Sequence, residues 1–569
     1  MELNPFQERA VTTPGHCTIL ACPGSGKTRV LSSRAAHLVT NNELGRLCAV
    51  TFTRDAANEL LGRIMESCGP QHARRLAVGT FHSLALAQIR RNTKGKVPRL
   101  INDGERFAIL RRCWKEYAPR HTLEDVSKEI DKAKGSVAPY VFIDLALQNV
   151  FKAYEDVLNA DNAMDFSDLL LRAVRGMQAG TIDPLPLAWL LVDESQDMDA
   201  VQMEWILAHG RTGIQVTLVG DDDQSLYSFR QALGYEGLQE VSMALNAVDL
   251  TLPINYRCAP NILGHAAKLI AHNSNRAAKN IKAHKEIDGE VTVRRMADRD
   301  GELDVLAKTI KEQSPIGEWA VLGRTNALLD LVEVSLRSQG IEIKRSGGKS
   351  IWENGIGNVF AGIVRSICTD TWMGLAAALS YCGAPSSWVN EHSRSQGGTA
   401  LERLGVAIQD APDDQVRKVA VALREGFISW SHQAISKDRA NLVVFGIVGF
   451  LNNYGSEGQR KLLKVIETTF TRMKGTLGQR LALISRDSKD KTVTAGVVQL
   501  LTLHSSKGLE FDNVWIMGCE EGNLPHTDST EEDERRLMYV GMTRARMRLI
   551  MSSSLEDGME SRFLEEAGL

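Results

Sequence analysis

The chain has 569 residues, of which 43% are hydrophobic and 24% charged, and its formal net charge is −3. That balance is ordinary for a globular protein of several domains and excludes a uniformly basic protein that coats duplex nucleic acid. No basic, then apolar, then small-residue succession opens the chain, and no apolar run is long enough to span a bilayer. A cytoplasmic protein with no membrane partner is therefore expected.

Residues 16–22 and 47–52 read as buried strands, separated and followed by helix-period segments, which predicts βαβ units around a parallel sheet. Helical patterns dominate from about 88 to 185. This stretch holds the cluster Arg90-Arg91-Asn92-Thr93-Lys94-Gly95-Lys96, which fits a solvated face or the lining of a nucleic-acid groove. Buried strands return at 187–192 and 214–219, so the helical block is an insertion into one α/β core. The second half repeats the plan, with strands at 290–293 and 319–324, a mainly helical block over 361–491, and strands at 496–502 and 513–517. The expected organisation is a first core over 1–88 and 186–253 with the insertion 89–185, and a second core over 254–360 and 492–569 with the insertion 361–491. The nine cysteines show no CxxC pair and no His/Cys ligand spacing, which points away from zinc or iron–sulfur and towards reduced thiols.

The segment Ala21-Cys22-Pro23-Gly24-Ser25-Gly26-Lys27-Thr28 follows a strand and precedes a helix that opens with Arg29. Two glycines let the backbone close around an anion, and the helix N-terminus adds positive dipole. This is the pattern of a phosphate-binding loop for ATP, although Ala21 stands where the general pattern has Gly. Lys27 would reach the β- and γ-phosphates, and Thr28 would offer its hydroxyl to Mg²⁺. Further on, the strand Leu190-Leu191-Val192 delivers Asp193 and Glu194 to its C-terminal end, where ligands bind in open α/β sheets. Asp193 would hold the metal, directly or through water, and Glu194 would orient the attacking water or take its proton. An arginine finger is also required, adding roughly 10³–10⁵ in rate, and spacing alone does not choose among the arginines.

Ordered blocks from Leu3 to Arg546 resemble the superfamily 1A DNA helicases UvrD, Rep and PcrA. Leu3-Asn4-Pro5-Phe6-Gln7 is similar to the block whose glutamine contacts adenine. Residues 51–57 and 79–83 are similar to the DNA-contacting blocks of the first core, and Asp193-Glu194-Ser195-Gln196-Asp197 has the family's carboxylate pattern. Residues 219–230 resemble the coupling block, Asn255-Tyr256-Arg257 the block that stacks on adenine and supplies a finger, residues 503–511 the next, and 534–546 the last.

The resemblance implies two RecA-like parallel-sheet cores, each interrupted by a mainly helical insertion, with ATP between them. It implies a γ-phosphate sensor at Gln224, fingers at Arg257 and Arg544, adenine contacts at Gln7 and Tyr256, and a ribose contact at Glu510. The wider nucleotide-binding set is Pro23, Gly24, Ser25, Gly26, Lys27, Thr28 and Arg29, with Thr28 and Asp193 on the metal. Phe52, Thr80, His82, Tyr227, Phe229, Thr502 and His504 would face DNA. Phe229 stands where the family often has Trp, and Gln231 where it often has Gly.

The implied activity is ATP-driven translocation on single-stranded DNA and 3′-to-5′ unwinding at single-strand/duplex junctions, in repair, recombination or antiviral defence. The short insertion 361–491 and the early end of the chain after the last block point to a second reading. In it the chain is a motor or sensor that serves a separate nuclease partner, as in antiviral systems such as Gabija, with weak unwinding of its own. A third reading is a nucleotide-switched DNA clamp that hydrolyses ATP without moving.

Overall fold

The computed structural model describes residues 2–93, 97–226, 232–313, 318–346, 350–353, 355–394, 398–434, 439–484, 496–556 and 558–569. Tyr227, Phe229 and Gln231, and residues 94–96 of the basic cluster, lie outside the described residues. The chain divides into two compact units, Met1–Ile287 with Arg535–Tyr539, and Asp288–Glu534 with Val540–Leu569.

The first unit runs through β1 (Cys17–Ala21), β2 (Leu47–Thr51), β3 (Leu76–Thr80), the short pair β4 (Arg99–Leu100) and β5 (Ala163–Met164), then β6 (Trp189–Val192), β7 (Gln215–Gly220), β8 (Val248–Leu252), and a second short pair, β9 (Ile254–Asn255) and β10 (Lys282–Ala283). Among the described residues, six of these strands form one sheet in the order β3-β2-β6-β7-β1-β8, and every pairing in it is parallel. Helices α1 (Pro5–Thr12), α2 (Lys27–Thr40), α3 (Arg54–Cys68) and α4 (Phe81–Asn92) accompany these strands. Leu47, Ala49, Trp189 and Leu191 share a core with Val30 and Leu31 of α2 and Leu60 and Ile64 of α3. The alternate residues Cys48, Val50, Leu190 and Val192 pack on the other face with Phe81 and Ala85 of α4. Both faces are covered, so these strands read as unbroken apolar runs. β8 is different: it lies at the sheet edge, with Leu250 and Leu252 buried between exposed Val248, Asp249 and Thr251.

The insertion packs the helices Asp103–Tyr117, Leu123–Lys134 and Leu145–Ala160 around Leu110, Val126, Ile130, Val150 and Tyr154. Lys134, buried at the end of the second of these helices, is held by Glu155, Asp165 and Asp168 at 2.7–2.9 Å.

In the second unit, β11 (Glu290–Met296), β12 (Trp319–Gly323), β13 (Ile343–Ser346), β14 (Val498–Thr502), β15 (Phe511–Met517) and β16 (Ala545–Ser554) form another wholly parallel sheet, in the order β11-β16-β15-β12-β14-β13. The helices between Gly355 and Ile484 carry their own core, built on Trp352, Phe360, Trp388, Trp430 and Phe470. Two parallel-sheet cores with helical insertions are thus the architecture that the patterning predicts. Among the described residues no helix is long and apolar enough to cross a membrane. All nine cysteines are free thiols, and burial pushes Cys22 and Cys48 up to about 12.

Candidate nucleotide and DNA site

In a parallel sheet every strand ends on the same edge, and that edge is where this chain concentrates its chemistry. β1 runs into the phosphate loop, β6 into Asp193, β7 into Asp221, and β8 into Asn255-Tyr256-Arg257. β2 and β3, paired at Thr51↔Thr80, run into Phe52 and Phe81-His82.

The loop after β1 turns through left-handed backbone at Gly24 (φ 62°) and Gly26 (φ 81°), and Gly26 caps α2. Amide groups turned in this way form a concave anion seat at the positive end of a helix. Lys27 opens α2, with Thr28 and Arg29 in the same turn, and Lys27 Nζ lies 3.8 Å from Asp221 Oδ2. The Ser25 hydroxyl is buried in the loop with no hydrogen-bond partner among the described residues. An orphaned donor in an amide-lined seat fits a loop that receives phosphate oxygens.

The residues after β8 close over this loop. β8 pairs with β1 as far as Ala21↔Leu252, and Cys22 N–H donates to Leu252 C=O at 3.1 Å, so the two chain segments leave the sheet side by side. Buried Asn255 donates from Nδ2 to Pro23 C=O at 2.6 Å, while its Oδ1 accepts from the N–H groups of Arg257 (2.9 Å) and Cys258 (2.7 Å). Tyr256 N–H donates to Gly24 C=O at 3.0 Å. Arg257 therefore stands beside this loop, inside the first compact unit. Gln7 is brought to the same place. α1 is capped by a reciprocal Asn4–Gln7 box, Gln7 Nε2 donates to Ser25 C=O at 3.0 Å, and Asn4 Nδ2 donates to the Tyr256 hydroxyl at 2.7 Å. Each polar end of the Gln7 amide thus makes one bond to protein, which fixes its orientation and leaves one N–H and one lone pair for a ligand.

The carboxylate side is equally constrained. Asp193 is buried, its N–H donates to Val50 C=O at 2.9 Å, and its Oδ1 accepts from Glu194 N–H at 3.0 Å. Glu194 is one of the few non-glycine residues in left-handed backbone (φ 48°, ψ 38°). Such backbone costs about 1–3 kcal/mol and persists where the surroundings hold it. The holder is Gln196, fully buried, whose Nε2 donates to Glu194 Oε2 at 2.6 Å and whose Oε1 accepts from Asp221 N–H at 3.0 Å. Gln224 Nε2 in turn donates to Asp221 Oδ2 at 2.5 Å.

Of the residues expected to face DNA, Phe52 is 37% exposed, with its edge on Phe81 at 5.7 Å between centroids. Thr80 caps α4 reciprocally with Ser83. His82 packs against Phe166 at 6.0 Å, and burial lowers its pKa, so it presents a neutral ring at physiological pH. Thr502, His504, Glu510 and Arg544 belong to the second unit. There Thr502 pairs with the Ser505 hydroxyl at 2.8 Å, and burial followed by Arg324 lowers the His504 pKa. Glu510 meets Arg546 at 3.0 Å. Buried Arg544 is fixed by the carbonyls of Val540 (2.9 Å) and Leu509 (3.1 Å).

Comparison with known families decides what this edge belongs to. The profile of the UvrD/REP helicase N-terminal domain matches residues 3–236, and that of the UvrD-like helicase C-terminal domain matches 250–355 and 449–556. The chain belongs to the UvrD/Rep helicase family. It is 28% identical to DNA helicase II of Haemophilus influenzae, over 99% of this chain and 86% of that protein. It is 28% identical to the ATP-dependent DNA helicase Rep of Escherichia coli strain K12 (96% and 90% covered), and 26% identical to the ATP-dependent DNA helicase PcrA of Bacillus subtilis strain 168 (99% and 85%).

Three further residues, Asn255, Gln196 and Lys279, hold this edge together, and the amino-acid pattern alone assigns no role to any of them. For Lys279 the signal was present: Asp221-Asp222-Asp223 directly after a buried strand demands cations from elsewhere in the chain.

Proposed function

We propose that the chain hydrolyses ATP to move along single-stranded DNA and unwinds duplex with 3′-to-5′ polarity. The observation that carries this reading is the shared edge of the first sheet. Lys27, Asp221 and Gln224 form one linked group at the ends of β1 and β7, Asp193 and Glu194 follow β6 next to them, and Phe52 and His82 follow the neighbouring β2 and β3. Nucleotide chemistry and a base-stacking surface thus share one rigid element.

In this reading Lys27 leaves Asp221 for the phosphates of ATP, which are stronger acceptors of its charge. Glu194, held by Gln196, takes the proton of the attacking water. Arg257, beside Gly24, stabilises the charge that develops on the transferred phosphoryl group. Asp193, buried at a strand end with Thr28 in the first turn of α2, fits a Mg²⁺ site, and the ion would supply charge neutralisation on the phosphates. The neutral ring of His82 and the exposed face of Phe52 offer stacking that tolerates any base.

A strand-displacement assay on duplexes with 3′ or 5′ single-stranded tails tests the reading. Displacement from the 3′-tailed substrate alone, with none from Lys27→Ala, is expected. Displacement of the 5′-tailed substrate instead would reverse the polarity, and unaltered displacement by Lys27→Ala would remove the phosphate loop from the mechanism.

A further inference from the structure

The loop that follows β7 places three consecutive carboxylates, Asp221, Asp222 and Asp223, in the interior, each no more than 2% exposed. One ammonium group meets all three. Lys279 Nζ lies 2.8 Å from Asp221 Oδ1, 2.7 Å from Asp222 Oδ1 and 2.8 Å from Asp223 Oδ2. Around this point Arg276 grips Asp223 through Nε (2.8 Å) and Nη2 (2.9 Å), and Ala277 N–H donates to Asp222 Oδ2 at 2.7 Å. Burial alone would favour loss of the Lys279 proton, but the three carboxylates outweigh it and hold the ammonium well above its usual range. Burying ions in this way costs several kcal/mol for each, and a well-packed apolar substitute is often no less stable. Stability is therefore a poor account of the cluster, and geometry a better one.

The three carboxylates are not equivalent. Asp223 is held twice, by Lys279 and Arg276, and Asp222 is held by Lys279 and a backbone amide. Asp221 faces two ways. Its Oδ1 is taken by Lys279, and its Oδ2 is shared by Gln224 Nε2 at 2.5 Å and Lys27 Nζ at 3.8 Å. Once Lys27 is drawn to a phosphate, Oδ2 has lost a cation, and the Lys279 contact is what keeps the carboxylate from turning after it.

We propose that Lys279 is a positioning residue for ATP hydrolysis: by holding Asp221 Oδ1 it fixes Oδ2 as the acceptor that keeps Gln224 aimed at the phosphates while Lys27 is engaged elsewhere. The assignment rests on the nucleotide-site reading above. It requires that Lys279 act through Asp221 and Gln224 rather than through the stability of the loop.

The test separates positioning from charge balance in the full chain. Lys279→Met alone strands a buried carboxylate, so it is paired with Asp222→Asn, which removes one negative charge and retains an acceptor for Ala277 N–H. Thermal denaturation of this double variant is expected to stay near wild type. Its DNA-stimulated kcat is expected to fall by about a hundredfold, the loss typical of a misplaced catalytic group, with the KM for ATP changed less than about threefold. Added to a Gln224→Ala background, the same pair is expected to cost little more, because the route is already cut. Restored turnover in the double variant, a loss that falls wholly in KM, or a full further loss in the Gln224→Ala background would each overturn the assignment. If the double variant does not fold, Asp221→Asn takes its place with the same expected kcat loss and the same lack of additivity, and additivity there also overturns the assignment. Lys27→Ala serves as the reference. Normal turnover in it would bring down the nucleotide site itself and the Lys279 role with it, whereas an inactive Lys27→Ala beside a fully active Lys279 variant defeats the Lys279 role alone.

Discussion

At Gly24 two demands fall on one residue. Its φ of 62° belongs to the left-handed region, and a Cβ there would lie 2.6 Å from Arg257 Cβ and 3.3 Å from Arg257 N. The first demand costs an L-residue about 1–2 kcal/mol, and the second forces the Asn255–Arg257 segment away from the loop at about 1–3 kcal/mol more. Gly15, at φ 78° with nothing within 4 Å of its added Cβ, faces only the first. Gly24→Ala is therefore expected to weaken binding of a non-hydrolysable ATP analogue by about tenfold or more, since each 1.4 kcal/mol is tenfold. Gly15→Ala is expected to lower stability by about 1–2 kcal/mol and leave nucleotide affinity alone. Calorimetric titration of both variants is the check, and equal affinities would mean that the approach of Arg257 to the loop plays no part in binding.

The element that sets this arrangement is β8, whose edge position beside β1 carries Asn255, Tyr256 and Arg257 to the phosphate loop. Asn255 is the joint, with no exposed surface and three hydrogen bonds that hold two backbone segments in one geometry. Asn255→Ala leaves a buried carbonyl and two amides without those partners, a loss of about 1–3 kcal/mol for each group left unsatisfied. Denaturant unfolding is expected to show destabilisation of at least about 2 kcal/mol, together with a raised KM for ATP. A variant as stable as wild type would show that water replaces the asparagine and that the joint is loose.

The same strand marks the limit of what the amino-acid pattern disclosed. β1, β2, β6 and β7 were legible because burial on both faces gives unbroken apolar runs, and the glycine-rich loop and Asp193-Glu194 stand out as candidates because their chemistry is local in sequence. β8 was not, because an edge strand alternates Val248-Asp249-Leu250-Thr251-Leu252 and looks like connecting chain. β3 was hidden for a related reason: all five of its residues are only partly buried, and it too lies at an edge of the sheet. Lys279 and Gln196 were illegible as site residues because their partners stand elsewhere in the chain, and only tertiary pairing gives them a role.

For the whole molecule the question is how a chain with net charge −3 holds a polyanion. A local lining suffices, since affinity for single strands comes from a few phosphate contacts and from stacking. Stacking on an aromatic face contributes about 1–3 kcal/mol per base, and opening one duplex step costs about 1.4 kcal/mol on average, so the two are comparable. Under the proposed function, passing a base onto the exposed face of Phe52 or the neutral ring of His82 would offset much of the melting cost and leave the energy of ATP to impose direction. Two consequences follow for hydrolysis. A single-stranded oligonucleotide is expected to raise ATP turnover, because the β2 and β3 ends that would receive it belong to the same sheet as Lys27 and Asp193. The oligonucleotide concentration needed for half-maximal stimulation is also expected to rise with salt, with a log–log slope of about 0.7 for each phosphate neutralised. Phe52→Ala is expected to raise that concentration while leaving the salt slope unchanged, because stacking carries no counterions. Steady-state turnover titrated with an oligonucleotide at several salt concentrations measures both quantities. Hydrolysis indifferent to DNA would break the link between the two ends of the sheet, and a salt slope altered by Phe52→Ala would place that ring away from the bases.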